Sequence, residues 1–414
     1  KKSNDYLFLK QSSGVDVHQK IKDMVEIQSR RIAVKDTLNH SNFDNYVYPS
    51  RYNNDRDMIR YFSFEFIDEE EISDGIDWNV KSESIEADGV IYGILLHSEE
   101  SLTKLREILI HTSTGCDRFI FILPRHFSAI EDVVREFNAV AVLRDSAHDD
   151  KVLFEEYEVI YEDLREVMEI FIRGYVRPEE FKSRYIYHGE EVSIKRKAAL
   201  TGLMSDICDK VYSKTPVINN EAMNKNEITA TANNSRNKIV AALLRNELES
   251  NLGFTGTGQE VSIMRSTLIR TGVWVEEEGT PRIELKPAKV EHLADMLTVI
   301  EGFILEARQR GEICFEELYQ RLISPQYHIG LRKGLIPIYL AAVIHEYKKE
   351  IIVSDQHGQV PLSTDILLQI NAKPSLFYLS YLDWDGEKED FVRRISEDFS
   401  DYIVEAEKGA SSYE

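Results

Sequence analysis

Apolar residues change their spacing repeatedly along the chain, and the changes mark out elements. Val17, Ile21, Met24, Val25 and Ile27 recur at helical intervals after Gly14 and Asp16. Phe62, Phe64 and Phe66 then alternate with polar residues, the period of a half-buried strand. Residues 90–96 and 119–123 are continuous apolar runs, the second closed by Pro124. Between them, residues 101–110 carry Leu102, Leu105, Ile108 and Leu109 on one helical side. A further helix is predicted over 128–137, with Ser128 and Glu131 at capping-box spacing and Ile130, Val133, Val134 and Phe137 as its stripe. Residues 140–143 read as one more strand. Strands apolar on both faces and separated by helices imply a buried parallel sheet.

From 153 to about 271 the pattern is helical: 153–175, 194–211, a segment around Ile239, Val240, Leu243 and Leu244, and 259–269 stopped by Gly272. Gly253 suits a left-handed position after the third of these. Beyond, 314–323 is a short helix, 325–330 a turn, 331–347 an apolar helix interrupted at Pro337, and 351–360 two short strands around His357 and Gly358. Helix, turn, helix and hairpin is the order of a winged-helix module. A charged helix closes the chain from 387 to about 407. The expected class is therefore α/β plus α. Residues 1–150 form a small parallel-sheet α/β domain with an acidic loop, and 151–275 a helical connector carrying Asn- and Gly-rich segments. Residues 276–414 form a winged-helix-like domain with its charged C-terminal helix.

Composition narrows the function. The 414 residues include 50 Lys and Arg against 72 Asp and Glu, a net charge of −22. Such a field opposes nucleic acid binding by the chain as a whole, although a local basic face could still bind. Ten of the carboxylates lie between Glu65 and Asp88 against the single base Lys81, which reads as a solvated loop lacking calcium-loop spacing. No run of 18 apolar residues predicts a membrane span. Cys116, Cys208 and Cys314 lie far apart, which suits a reducing cytoplasm and three small hydrophobes better than a disulfide framework or zinc site. Lys1 and Lys2 open the chain without an initiator Met or an apolar signal region, the expectation for a piece of a longer polypeptide.

No catalytic site declares itself. Gly253, Gly256 and Gly258 resemble a phosphate cradle, but Gln259 and Glu260 stand where G-x-x-x-x-G-K-S/T needs its lysine. A tight turn entering the next helix is the plainer reading. Arg265 and Arg270 follow on that helix; they suit phosphate contact, on a neighbour's nucleotide or on DNA, or else ordinary interhelix salt bridges. The turn at 97–101 carries Glu99 and Glu100 and no glycine, which disfavours a dinucleotide site. His345 and Glu346 lack the second His of a zincin, no G-x-S-x-G is present, and 119–124 offers no carboxylate to complete a metal-nuclease set with Asp88. The 331–347 helix is too apolar to read bases. Arg332, Lys333 and Lys348 could touch DNA backbone at most.

The stretch 215–224 (TPVINNEAMN) resembles a signature of the large P-loop ATPases of bacteriophage-exclusion (BREX-type) defence systems and related restriction-linked bacterial ATPases. The likeness continues in 235–238 (SRNK), in 253–268 and in 330–340 (GLRKGLIPIYL), with the opening 5–9 and 15–21 also similar. These run in the family's order over about a quarter of the chain. The resemblance implies a cytoplasmic, multidomain, ATP-driven antiviral protein that assembles with itself or with other defence subunits. Because the P-loop is absent here, ATP and magnesium are implied for the parent protein and for no residue of this chain. What carries over is a non-catalytic accessory role, relaying the ATPase state to partner subunits or DNA. Its motif residues would be Pro216, Asn219, Glu221, Asn224, Arg236, Gly256, Gly258, Gln259, Glu260 and Arg265. A winged-helix DNA regulator and a cryptic metal-dependent nuclease are the alternatives.

Overall fold

A computed structural model describes residues 14–28, 34–41 and 45–398. The opening similarity at 5–9 and the last turns of the C-terminal helix lie outside the described residues. By contact the chain divides into two compact units, Lys1–Ser50 with Arg60–Ile207, and Arg51–Ile59 with Cys208–Glu414. The sequence pattern had set its boundaries at 150 and 275.

Chain order in the first unit begins with α1 (Val17–Gln28), α2 (Val34–Ser41) and β1 (Tyr46–Val47). The short helix α3 (Ser50–Arg56) belongs mostly to the second unit. Then come β2 (Phe62–Asp68), α4 (Trp78–Glu83), β3 (Gly89–Leu95), α5 (Ser101–Thr112), β4 (Phe119–Pro124), α6 (Glu131–Ser146), α7 (Lys151–Val176), β5 (Ser183–Tyr187) and β6 (Glu190–Val192). The six strands lie side by side in sequence order. β2, β3 and β4 are parallel, and antiparallel strands flank them at both edges. Every residue of β3 and β4 is buried, as their unbroken apolar runs required.

Four expectations are corrected in this unit. Residues 140–143 are not a strand but the second half of α6, where Ala139, Val140 and Leu143 pack with Ile21 of α1 and Tyr157 of α7. A short apolar run carries no period of its own; here it continues the helical stripe through Val134 and Phe137. Ser128 caps nothing, since α6 starts after Ile130 without a side-chain cap bond. The stretch after 153 is not all helix, because the β5–β6 hairpin returns to the sheet beside β4. The acidic segment is only partly loop. Trp78 is buried against Phe121, with ring centroids 4.6 Å apart, and Asp88 is buried with Arg60 in a 2.7 Å ion pair.

α8 (Lys197–Val211) carries the boundary between the units. The second unit continues with α9 (Ala230–Leu243), α10 (Gln259–Met264), β7 (Trp274–Glu277), β8 (Thr280–Ile283) and α11 (Leu293–Arg310). Next are β9 (Glu312–Cys314), α12 (Phe315–Ile323), α13 (Ile336–Tyr347), β10 (Ile351–Asp355), β11 (Gly358–Val360), α14 (Thr364–Ala372), β12 (Tyr378–Tyr381) and α15 (Gly386–Asp398). Gly253 is left-handed as expected, with Asn251 and Leu252 beside it, but this bend stands apart from the end of α9. β12 inserts between β10 and β9, giving the order β11-β10-β12-β9. The sequence reading had shown none of β7, β8, α11, β9, α14 and β12.

α13 is the centre of this unit. Its residues from Ile336 to Ile344 are all buried. Each large aliphatic side chain removed from water in this way contributes roughly 1.5–3 kcal/mol. Pro337 does not interrupt the helix. It sits in the first turn, where its missing N–H would have had no intrahelical partner. Among the described residues no helix is long and apolar enough to cross a membrane.

Candidate functional site

The segments singled out in the sequence are knitted together within the second unit. Asn224 is 1% exposed, and its Nδ2 donates to the carbonyls of Ile218 at 2.6 Å and Asp57 at 2.9 Å. Arg56 Nη1 donates to Thr215 O at 3.0 Å, and Thr215 Oγ1 donates to Ile329 O. Arg332 Nη2 donates to Ile59 O at 2.7 Å. The Gly334 amide donates to Lys225 O at 2.9 Å, and the Lys333 amide to Asn226 Oδ1 at 3.3 Å. Residues 51–59, 215–226 and 330–334 thus hold one another through side chains bonded to backbone, the arrangement that fixes irregular segments lacking a ladder. Pro216 is buried in this clasp. Glu221 is exposed and paired with Lys225 at 3.1 Å.

A cavity of about 390 Å³ opens on the outer side of the clasp. Asn219 and Asn220 line it from one segment, Thr257 and Gly258 from the turn before α10, and Ser262, Arg265, Ser266 and Arg270 from the helix that follows. Asn220 joins its segment to that helix, its Nδ2 donating to Ser266 Oγ at 2.8 Å. Gly256 has φ +86°, a left-handed turn that glycine adopts without strain, and Gly258 caps α10 in extended geometry. The expected tight entry turn is therefore present.

The helix does not continue regularly. Residues Arg265–Ile269 form a single π turn, closed by Arg270 N donating to Arg265 O at 2.9 Å. Five residues of α-helix would set two side chains about 140° apart around the axis. The wider i→i+5 turn instead brings Arg265 and Arg270 toward one side, where both line the cavity. Hydroxyls replace what the wider turn removes from the regular bonding pattern. Ser266 Oγ donates to Ser262 O and Ile263 O, each at 3.0 Å, and Thr267 Oγ1 to Ile263 O at 2.7 Å. Thr271 Oγ1 donates to Thr267 O at 2.6 Å, and the buried Tyr339 of α13 donates to the same carbonyl at 2.9 Å.

The charges divide sharply. Arg265 and Arg270 are exposed, and among the described residues neither has an ion pair or side-chain hydrogen bond. The salt bridging that was their plainer sequence reading is not formed. Glu260 is not part of the lining; its carboxylate lies against Gly258 and is paired with Lys238 at 3.4 Å, held below the usual range first by its own backbone N–H. Gln259 accepts from Ser235 Oγ at 3.1 Å. Arg236 is 5% exposed, bonded to Asn233 Oδ1, and its pKa is lowered by burial. It is an interior residue and does not line the cavity.

The candidate DNA contacts are placed elsewhere and differently. Arg332 is 8% exposed and holds the Ile59 carbonyl. Lys348 Nζ donates to Arg245 O and Asn246 O, both at 2.7 Å, and burial lowers its pKa. Both groups are already engaged with backbone, which removes them as phosphate contacts. Lys333 is half-buried. The helix that would enter a groove, α13, is interior.

Asn220, Ser262 and Ser266 were not among the residues singled out in the sequence, and Thr257 was read only as a helix-entry cap. Ser262, Ser266 and Arg270 recur every fourth residue, a polar stripe that could have marked them. Comparison with protein-family models, with curated proteins and with solved structures finds no match to the chain.

Proposed function

We propose that this chain is a non-catalytic accessory region of a bacterial antiviral P-loop ATPase of the bacteriophage-exclusion type, relaying the state of the ATPase to partner subunits. The observation that carries the reading is convergence. The stretches resembling those ATPases, 215–224, 253–268 and 330–340, are far apart in sequence yet meet in one clasp and its cavity. Their polar groups fall into two sets. One set is committed to holding backbone; the other, Asn219, Thr257, Ser262, Arg265 and Arg270, faces outward from a supported wall. A rigid scaffold presenting uncommitted polar side chains is the form of a contact site.

The DNA-regulator alternative draws on element order, since α11, β9, α12, α13 and the β10–β11 hairpin follow a winged-helix sequence. Its reading helix would be α13, whose burial argues against it. The accessory reading expects the tagged chain to retain the ATPase-bearing protein of its own system, and expects Asn220→Ala with Ser266→Ala to abolish that retention. Nucleotide hydrolysis by the chain purified alone, free of any ATPase-bearing protein, would overturn it.

A further inference from the structure

We propose that the cavity between Asn219 and Arg270 binds a phosphate-class oxyanion, the terminal phosphate of a nucleotide or of another phosphorylated small molecule. This rests on the reading of the same corner as a contact site and names its ligand.

Four observations carry it. First, the cavity lining contains two arginines and no carboxylate, in a chain where carboxylates outnumber bases 72 to 50. Elsewhere arginines of this unit find acids readily: Arg310 bonds Glu317 at 2.7 and 2.9 Å, and Arg321 bonds Glu306 at 2.7 and 2.8 Å. Second, the π turn sets Arg265 and Arg270 along one wall, where two planar forks can address one tetrahedral anion. Third, the groups beside them are neutral. Among the described residues the side chains of Asn219, Thr257 and Ser262 have no internal partner, so their amide and hydroxyls are available to oxyanion oxygens. Fourth, the wall is rigid. Asn220, Ser266, Thr271 and Tyr339 fix it by hydrogen bonds, which reduces the ordering cost of binding.

Scale favours a small ligand over a duplex. Two cations on a cavity of about 390 Å³ suit one phosphate group or a short polyphosphate. A DNA surface needs a track of cations, commonly 6–10 phosphate contacts. Here Arg332 and Lys348 are occupied by backbone, and the net charge of −22 repels a polyanion.

The test uses the whole chain and calorimetric titration with inorganic pyrophosphate, ATP without metal, and a duplex DNA of about 20 base pairs. Pyrophosphate and ATP are expected to bind saturably and to compete with each other. Arg265→Ala and Arg270→Ala should each weaken both at least about tenfold, because each removes a charge-assisted contact. Both side chains are exposed and unpaired, so the variants should keep the wild-type unfolding midpoint. Lys373→Ala, which removes an exposed cation outside the lining, should bind normally. Failure of pyrophosphate and ATP to bind below about 10 mM overturns the proposal. So does equal weakening by Lys373→Ala, or binding of the duplex in preference to pyrophosphate. These readouts are independent of partner retention. A chain that retains its ATPase but ignores phosphate refutes only this proposal, and the converse refutes only the accessory reading.

Discussion

Replacing Tyr339 by Phe tests whether the buried helix α13 holds the π turn in register. The substitution removes one hydroxyl and leaves the ring, which is fully buried, in place. The bond from Tyr339 Oη to Thr267 O, 2.9 Å long, is lost, together with the hydroxyl's contact with the Thr271 side chain. That carbonyl keeps a second donor, Thr271 Oγ1 at 2.6 Å, so no buried acceptor is orphaned. The expected loss is therefore that of one net hydrogen bond, about 1 kcal/mol, and not the 1–3 kcal/mol of an unsatisfied group added to it. A change of that size lowers the unfolding midpoint of a unit this large by roughly 2–4 °C. Urea unfolding followed through the buried Trp274 should show a lower midpoint with an unchanged slope. The affinity for pyrophosphate should fall with it, because Thr267 lies inside the turn that aligns Arg265 and Arg270. A stability loss above about 3 kcal/mol would refute the shared-acceptor argument. A loss near 1 kcal/mol with unchanged pyrophosphate affinity would show that the turn keeps its register without Tyr339.

Two further outcomes follow. Gly334→Ala places a Cβ 2.3 Å from Met223 O and 3.0 Å from Lys225 O, both backbone atoms that cannot swing aside. It should cost about 2–3 kcal/mol by overpacking, read as a lower urea midpoint. An unchanged midpoint would mean that the 218–228 loop yields and is not clasped. His97 lies between Asp68 at 2.6 Å and Glu131 at 2.8 Å, with Glu69 near and Arg135 on the far oxygen of Glu131. Burial works against charging it, but the hydrogen bonds to Asp68 and Glu131 prevail and its pKa is raised. The stabilisation is complete below the ordinary histidine pKa, about 6.5, and is lost as pH rises through the higher folded value. The thermal stability of the first unit should thus fall from about pH 6.5 upward. His97→Gln should flatten that slope, and an identical slope in the variant would refute the assignment.

Where hydrophobic period was long and unambiguous, the chain could be read directly. β3, β4, α5 and α7 lie where the pattern put them, because strands buried on both faces and amphipathic helices write their burial into spacing. Most of the failures share a cause; α11, an 18-residue helix that the sequence reading passed over, does not. Val140 to Leu143, the β5–β6 hairpin, α14 and β12 are short, and a few residues carry too little period to outweigh tertiary context. The motif residues split in the same way. Asn219, Gly258 and Arg265 meet at one cavity, while Asn224, Arg236 and Pro216 are interior and Glu221 is paired on the surface. Composition marked the corner as special but could not say which polar groups would be consumed by backbone. That depends on partners such as Asp57 and Ile59, more than 150 residues away in sequence. The π turn was also hidden, since no residue type demands it.

Stability alone does not explain why the cavity wall lacks carboxylates. An exposed ion pair contributes about 0–1 kcal/mol, so pairing Arg265 or Arg270 would add little to the fold, and leaving them unpaired removes little. Folding is nearly indifferent to the choice. The contrast with Arg60 is direct: buried at 1% exposure, it has Asp88 at 2.7 Å, because an unpaired charge there would cost several kcal/mol. At the cavity an acid would instead occupy the arginines and exclude any other anion. The neighbouring acid, Glu260, lies against Gly258 but is paired with Lys238 of α9. The wall is thus electrostatically open toward solvent at negligible structural cost, the condition under which a ligand and not the fold decides what the two guanidinium groups hold.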